Sequence, residues 1–164
     1  MPIVDHRAQC EEVARTLLEH KDQCHYSESA NRWGWHAYKV PTFPFFGDCS
    51  STFAAIDYWA GCDDPNGVNY AYGDTTTLLE HAQTKKLLIP KSKLLKADGC
   101  LFSVNGVTVH VAMALQDGTV GNPLFFNMGS SADPSVQPLS VLLTIGTPTF
   151  FRNVTDTRVP HRRP

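Results

Sequence analysis

The chain has 164 residues, 42% of them hydrophobic and 18% charged, which is enough apolar surface for one folded domain and too short for two with separate cores. Its 14 basic and 16 acidic residues leave a formal charge of -2 with no long run of either sign, so no basic track exists for a nucleic-acid backbone. The start, Met1-Pro2-Ile3-Val4-Asp5-His6, lacks the basic and apolar stretches of a signal peptide, so synthesis in a cytoplasm without membrane insertion is expected.

From Asp5 to about Gln23, apolar residues recur at Cys10, Val13, Ala14, Leu17 and Leu18, the spacing of one buried helix face. The stretch from His25 to Gly47 mixes aromatics with Pro41 and Pro44 and holds no period, so it reads as a structured loop region with short turns. After Gly47-Asp48-Cys49, apolar residues at Phe53, Ile56, Trp59 and Ala60 predict a second helix, closed by Gly61. Cys49 therefore sits at a helix start. Asp63-Asp64-Pro65-Asn66-Gly67 is turn chemistry, and Thr77-x-x-Glu80 resembles a capping box opening a short helix that Lys85 and Lys86 would close.

The pattern changes at Cys100. Leu101-Phe102-Ser103-Val104 and the run from Val107 to Leu115 flank Asn105-Gly106, a strong hairpin signal. Asp117-Gly118 marks another turn, Leu124-Phe125-Phe126 a third strand, and Val141 to Val154 one or two more, interrupted by Gly146 and Pro148. Helices followed by an antiparallel sheet give an α+β order, within a single domain over 1–164 whose tail from 153 to 164 is irregular.

Two residues carry the chemistry. A thiol attacks as thiolate, and the unpaired N–H groups of a helix start favour the anion at Cys49. An imidazole on a neighbouring strand, His110, is placed to deprotonate it. The bland alternative is a buried cysteine and a structural histidine.

Asp48-Cys49-Ser50-Ser51 followed by a helix, and His110-Val111-Ala112 after a hairpin, resemble the NlpC/P60 family of papain-like cysteine endopeptidases of bacterial walls. Tyr26-Ser27-Glu28 and Asp98 extend the resemblance. Trp59-Ala60-Gly61, Asp64-Pro65-Asn66-Gly67, Thr77-Leu78-Leu79-x-His81 and Pro123-Leu124 are similar to actinobacteriophage lysins, so that the resemblance spans about residues 5 to 152. It implies a papain-like fold with N-terminal helices packed on a C-terminal antiparallel sheet. It implies Cys49 as nucleophile, His110 as general base and later acid, and Tyr26 as a hydroxyl near the thiolate. Asp48 and Ser50 would orient the peptide, although Asp48 in a plain capping role is an equal alternative. The bond cut would be γ-D-glutamyl to a diamino acid in peptidoglycan stem peptides.

The third member of such a triad is where the chain departs from the family. The position that orients the histidine is Met128, before Gly129, and a thioether cannot hold an imidazole by a strong hydrogen bond. Asn127 or Asn122 takes the role if the register differs; otherwise the pair acts as a dyad. A CHAP-type wall amidase and a non-catalytic phage module retaining the fold stay open as alternatives. The partner is bacterial peptidoglycan, reached through a phage membrane pore (a holin) or on a virion.

Five cysteines with no C-x-x-C pair signal neither a disulfide framework nor a zinc site, and the seven histidines lack zinc-ligand spacing, so no metal and no cofactor are expected. Asp63 and Asp64 belong to the turn. Trp33, Trp35, Phe43, Phe45 and Phe46 read as core and lid packing, some of them lining a substrate groove. His161, Arg162 and Arg163 form a solvated basic tail that suits an anionic wall.

Overall fold

In a computed structural model, which describes residues 4–129 and 133–154, Asp5 caps helix α1 (His6–Glu19) by accepting from Ala8 N at 3.1 Å. The stripe Cys10, Val13, Ala14 and Leu17 is buried, as its spacing predicts. The helix ends earlier than the apolar period implied. Thr16 O accepts from His20 N and contacts His20 Nδ1, and the chain leaves through a 3-10 turn at Lys21–Gln23.

The region from His25 to Gly47 is more regular than its sequence. Strands β1 (Cys24–Tyr26) and β2 (Phe45–Gly47) pair in parallel, with Tyr26 opposite Gly47, and a 3-10 helix, Ala30–Ala37, lies between them. Strands of three residues are too short to show a period. Helix α2 (Cys49–Trp59) follows directly and buries every residue from Ser50 to Asp57, so it runs through the core rather than along a surface.

Helix α3 (Thr75–Thr84) opens two residues before the expected Thr77. Its N-cap is Asp74, whose carboxylate accepts from Thr76 N and Thr77 N at 2.8 and 2.9 Å, while Thr77 Oγ1 accepts from Asp74 N at 2.8 Å. Thr77 is thus the third residue of the capping box, not its first, because a carboxylate takes two backbone donors where a hydroxyl takes one.

The sheet comprises β3 (Leu88–Ile89), β4 (Gly99–Val104), β5 (Val107–Ala114), β6 (Leu124–Asn127), β7 (Ser135–Pro138) and β8 (Thr147–Phe151). Its order is β3-β8-β4-β5-β6-β7, antiparallel throughout. At the β4–β5 turn Asn105 and Gly106 have φ of 50° and 78°, the two positive values a tight right-twisted hairpin needs. The segment from Val141 to Val154 holds one strand, β8, after the end of a short helix α4 (Leu139–Leu142). β3 and β7, with two and four residues, were not legible in advance. In the expected irregular tail, Asn153 and Val154 lie outside regular elements but are buried; the remainder, with His161, Arg162 and Arg163, lies outside the described residues.

Side chains alternate across the sheet into two cores. Leu101, Val111, Met113 and Phe126 pack with α1, α2 and α3, while Cys100, Phe102, Ala112, Ala114 and Phe125 pack with Leu139 and Leu142. Helices packed on an antiparallel sheet is therefore the observed architecture. One buried charge ties its ends together: Asp98, fully buried, accepts from Arg7 Nη1 at 3.0 Å and Arg152 Nη2 at 2.8 Å. No helix of the described residues is long and apolar enough to cross a membrane.

Candidate active site

The parallel β1–β2 pair sets the entry to α2. Gly47 has no room for a side chain: a Cβ there would lie 2.5 Å from Thr52 Oγ1 and 2.9 Å from the Phe45 ring. That close approach lets Asp48 turn into the N-cap. Its carboxylate accepts from Ser51 N at 2.7 Å and Ser50 Oγ at 3.0 Å, Ser51 Oγ accepts from Asp48 N at 2.9 Å, and Arg32 of the 3-10 helix pairs with the other carboxylate oxygen. The capping role of Asp48 is thus present, and Ser50 is bonded to the cap. Arg32 carries no sequence signal; only the fold brings it sixteen residues forward onto Asp48.

Cys49 is the first residue of α2 and is half-buried. Backbone N–H groups of Val111, Ser50 and Cys49 itself favour its thiolate. Burial outweighs them, and the Asp48 carboxylate adds to it, so the thiol is pushed up to about 11. The expectation that the helix start lowers the Cys49 pKa is corrected by this desolvation.

Val111 is the neighbour of His110 on β5, so the thiol and the imidazole meet the same short piece of strand. Among the described residues no hydrogen bond joins Cys49 to His110. The imidazole is engaged on its other side, where Nε2 donates to Asn127 Oδ1. Burial holds His110 below its ordinary 6.5, with the Asn127 bond opposing that shift. With Nε2 carrying the proton, Nδ1 is left unprotonated and able to accept one.

The alternatives for the third position separate cleanly. Asn127 ends β6 and meets His110, whereas Met128 is buried in the core shared with α2. Asn122 is elsewhere, its amide paired with Ser140 N and Oγ at 2.9 Å each. Tyr26, at the end of β1, donates to Glu28 Oε1 at 2.9 Å. Burial raises its hydroxyl pKa first, then the Glu28 bond, then the field of Cys49, and its strand partner Gly47 is two residues before Cys49.

The aromatic region forms a cavity of about 310 Å³ lined by Trp35, Tyr38, Phe43 and Phe46, with Asn31 and Thr42 among its polar groups. Trp35 and Phe45 are buried, and Phe43 stacks on His20 with ring centroids 4.5 Å apart. Trp35 Nε1 has no hydrogen-bond partner among the described residues. Asp64 does the turn work expected of it, accepting from Asn66, Val68 and Tyr70 N–H groups at 3.0, 2.6 and 2.9 Å.

One group of three potential metal ligands exists among the described residues: Cys10, Asp57 and Cys62, at the far end of α2 from Cys49. Their positions match no linear motif. Burial pushes the Asp57 carboxyl up to about 8, against the bond it accepts from Asn153.

No family model matches the chain, and no curated protein sequence matches it.

Proposed function

We propose that this chain is a papain-like cysteine peptidase of the NlpC/P60 type that cleaves the γ-D-glutamyl to diamino-acid bond of peptidoglycan stem peptides, as a phage lysin. The observation that carries the reading is the imidazole of His110 held at Nε2 by Asn127, on the strand whose next residue, Val111, meets the capped, helix-leading thiol of Cys49.

Asn127 leaves Nδ1 of His110 to accept the Cys49 proton as the sulfur attacks the amide carbonyl. The starting pair is neutral, since burial disfavours both the thiolate and the imidazolium. The Cys49 N–H at the helix start faces the developing oxyanion. His110 returns the proton to the leaving amine, and water releases the acyl group, regenerating the thiol. Tyr26 and Asp48, at the entry to α2, are the groups that meet the peptide.

The test is mass spectrometry of muropeptides after incubating actinobacterial-type peptidoglycan with the wild type and with Cys49→Ala. The reading expects fragments with a new diamino-acid amino terminus from the wild type alone. Fragments cut instead between sugar and stem peptide point to a wall amidase, and no fragments from either protein remove the enzymatic reading.

A further inference from the structure

The fully buried carboxylate of Asp57 has no lysine, arginine or histidine within ion-pair distance among the described residues. A buried carboxylate needs a cation or a metal ion beside it; without one the group keeps its proton. Asp57 lies instead among sulfurs. Cys10 Sγ, from α1, is 3.7 Å from Asp57 Oδ1 and 3.7 Å from Cys62 Sγ, and all three ligand atoms lie within 4.8 Å of one another.

Both separations from Cys10 Sγ match the edges of a small tetrahedron. Zinc–sulfur bonds of about 2.3 Å place two thiolates about 3.8 Å apart at the tetrahedral angle, and a carboxylate oxygen at about 2.0–2.2 Å from the ion lies about 3.6 Å from each sulfur. The ligands are also held from outside. Asn153 Nδ2 donates to Asp57 Oδ2 at 2.7 Å and to Asp63 O at 2.8 Å, and Tyr70 Oη donates to Cys62 O at 2.8 Å. Partners that fix a ligand's orientation in this way are a regular part of metal sites.

We infer that Cys10, Asp57 and Cys62 form a zinc site of Cys₂Asp type, with water on the fourth position at the part-exposed Cys62, that clips α1 to the end of α2 and to the chain before the C-terminus. On binding, the two S–H bonds break and two Zn–S bonds form; the thiol protons, and any proton on Asp57, pass to solvent. The eight residues from Cys49 to Asp57 rise about 12 Å along α2, so the clip is separate from the nucleophile. The inference does not rest on the proposed peptidase function.

The experiment titrates the reduced full-length chain with Zn²⁺ against a chromophoric chelator and with Co²⁺ by absorption. One equivalent of Zn²⁺, with a thiolate-to-cobalt charge-transfer band, is expected for the wild type and for Cys49→Ala. Cys62→Ser, a part-exposed position that leaves the core intact, loses the band, and Asn153→Ala weakens binding about 10–100-fold. A band that survives Cys62→Ser, or disappears in Cys49→Ala, overturns the site. So does a reduced wild-type chain that takes up no metal and, on oxidation with a disulfide reagent, forms only a Cys10–Cys62 cystine.

Discussion

His110 Nε2 donates to Asn127 Oδ1, while the next residue along the chain, Met128, is buried among the side chains packed against α2. Successive residues leaving a strand point to opposite sides, so a one-residue choice of register decides which of them can orient the imidazole.

That division predicts two different phenotypes. Asn127→Ala is expected to lower kcat on the order of 10²-fold, the scale of a positioned general base, with little loss of stability, and Asn127→His to restore part of it. Met128→Ala is expected to cost about 2–5 kcal/mol of stability by opening a core cavity, with kcat per folded molecule nearly unchanged. Urea unfolding alongside steady-state kinetics checks both; an inactive but stable Met128→Ala would reverse the assignment.

The pH dependence follows from burial. His110 must be neutral to act as base, and burial lowers its pKa, so activity is lost only as pH falls below the ordinary imidazole value of 6.5. The acid limb of kcat/KM is therefore expected with its midpoint under 6.5 and a plateau through neutrality. A midpoint above 6.5 would contradict a desolvated imidazole.

The Cys49 thiol, pushed up to about 11, is expected to react slowly with iodoacetamide at neutral pH and progressively faster as the pH rises toward that value. Mass-resolved alkylation of Cys49 over pH 6 to 11 measures this. A rate already saturated at pH 7 would indicate a preformed thiolate–imidazolium pair.

Gly47→Ala places a Cβ where Thr52 Oγ1 and the Phe45 ring already lie. Relief requires moving β2 or the first turn of α2, and Cys49 moves with it. A stability loss of about 1–3 kcal/mol together with reduced kcat is expected, readable from thermal unfolding and single-turnover rates. Unchanged kcat in the folded fraction would show that the turn relaxes without carrying the thiol.

Asp98 joins Arg7 and Arg152 with no solvent exposure of its own. Asp98→Ala is expected to destabilise by about 3–5 kcal/mol, because two guanidinium groups lose their buried acceptor. Chemical denaturation gives the value. In the sequence Asp98 stands out only through the family resemblance, whereas its place as a clasp between α1 and the end of β8 depends on residues 91 and 54 positions away.

The sequence by itself determined the elements whose residues agree with one another locally: the amphipathic stripe of α1, the apolar run of α2 after Asp48, and the Asn105-Gly106 hairpin of β4 and β5. It also placed Cys49 at a helix start and His110 on a strand. Only tertiary structure decided between Asn127 and Met128, paired Arg32 with Asp48, and gathered Cys10, Asp57 and Cys62. It also set the direction of the Cys49 shift, because desolvation depends on what surrounds the thiol. The physical reason is range: periodicity and capping act over three or four residues, whereas burial and side-chain pairing join groups that the chain separates by tens of residues.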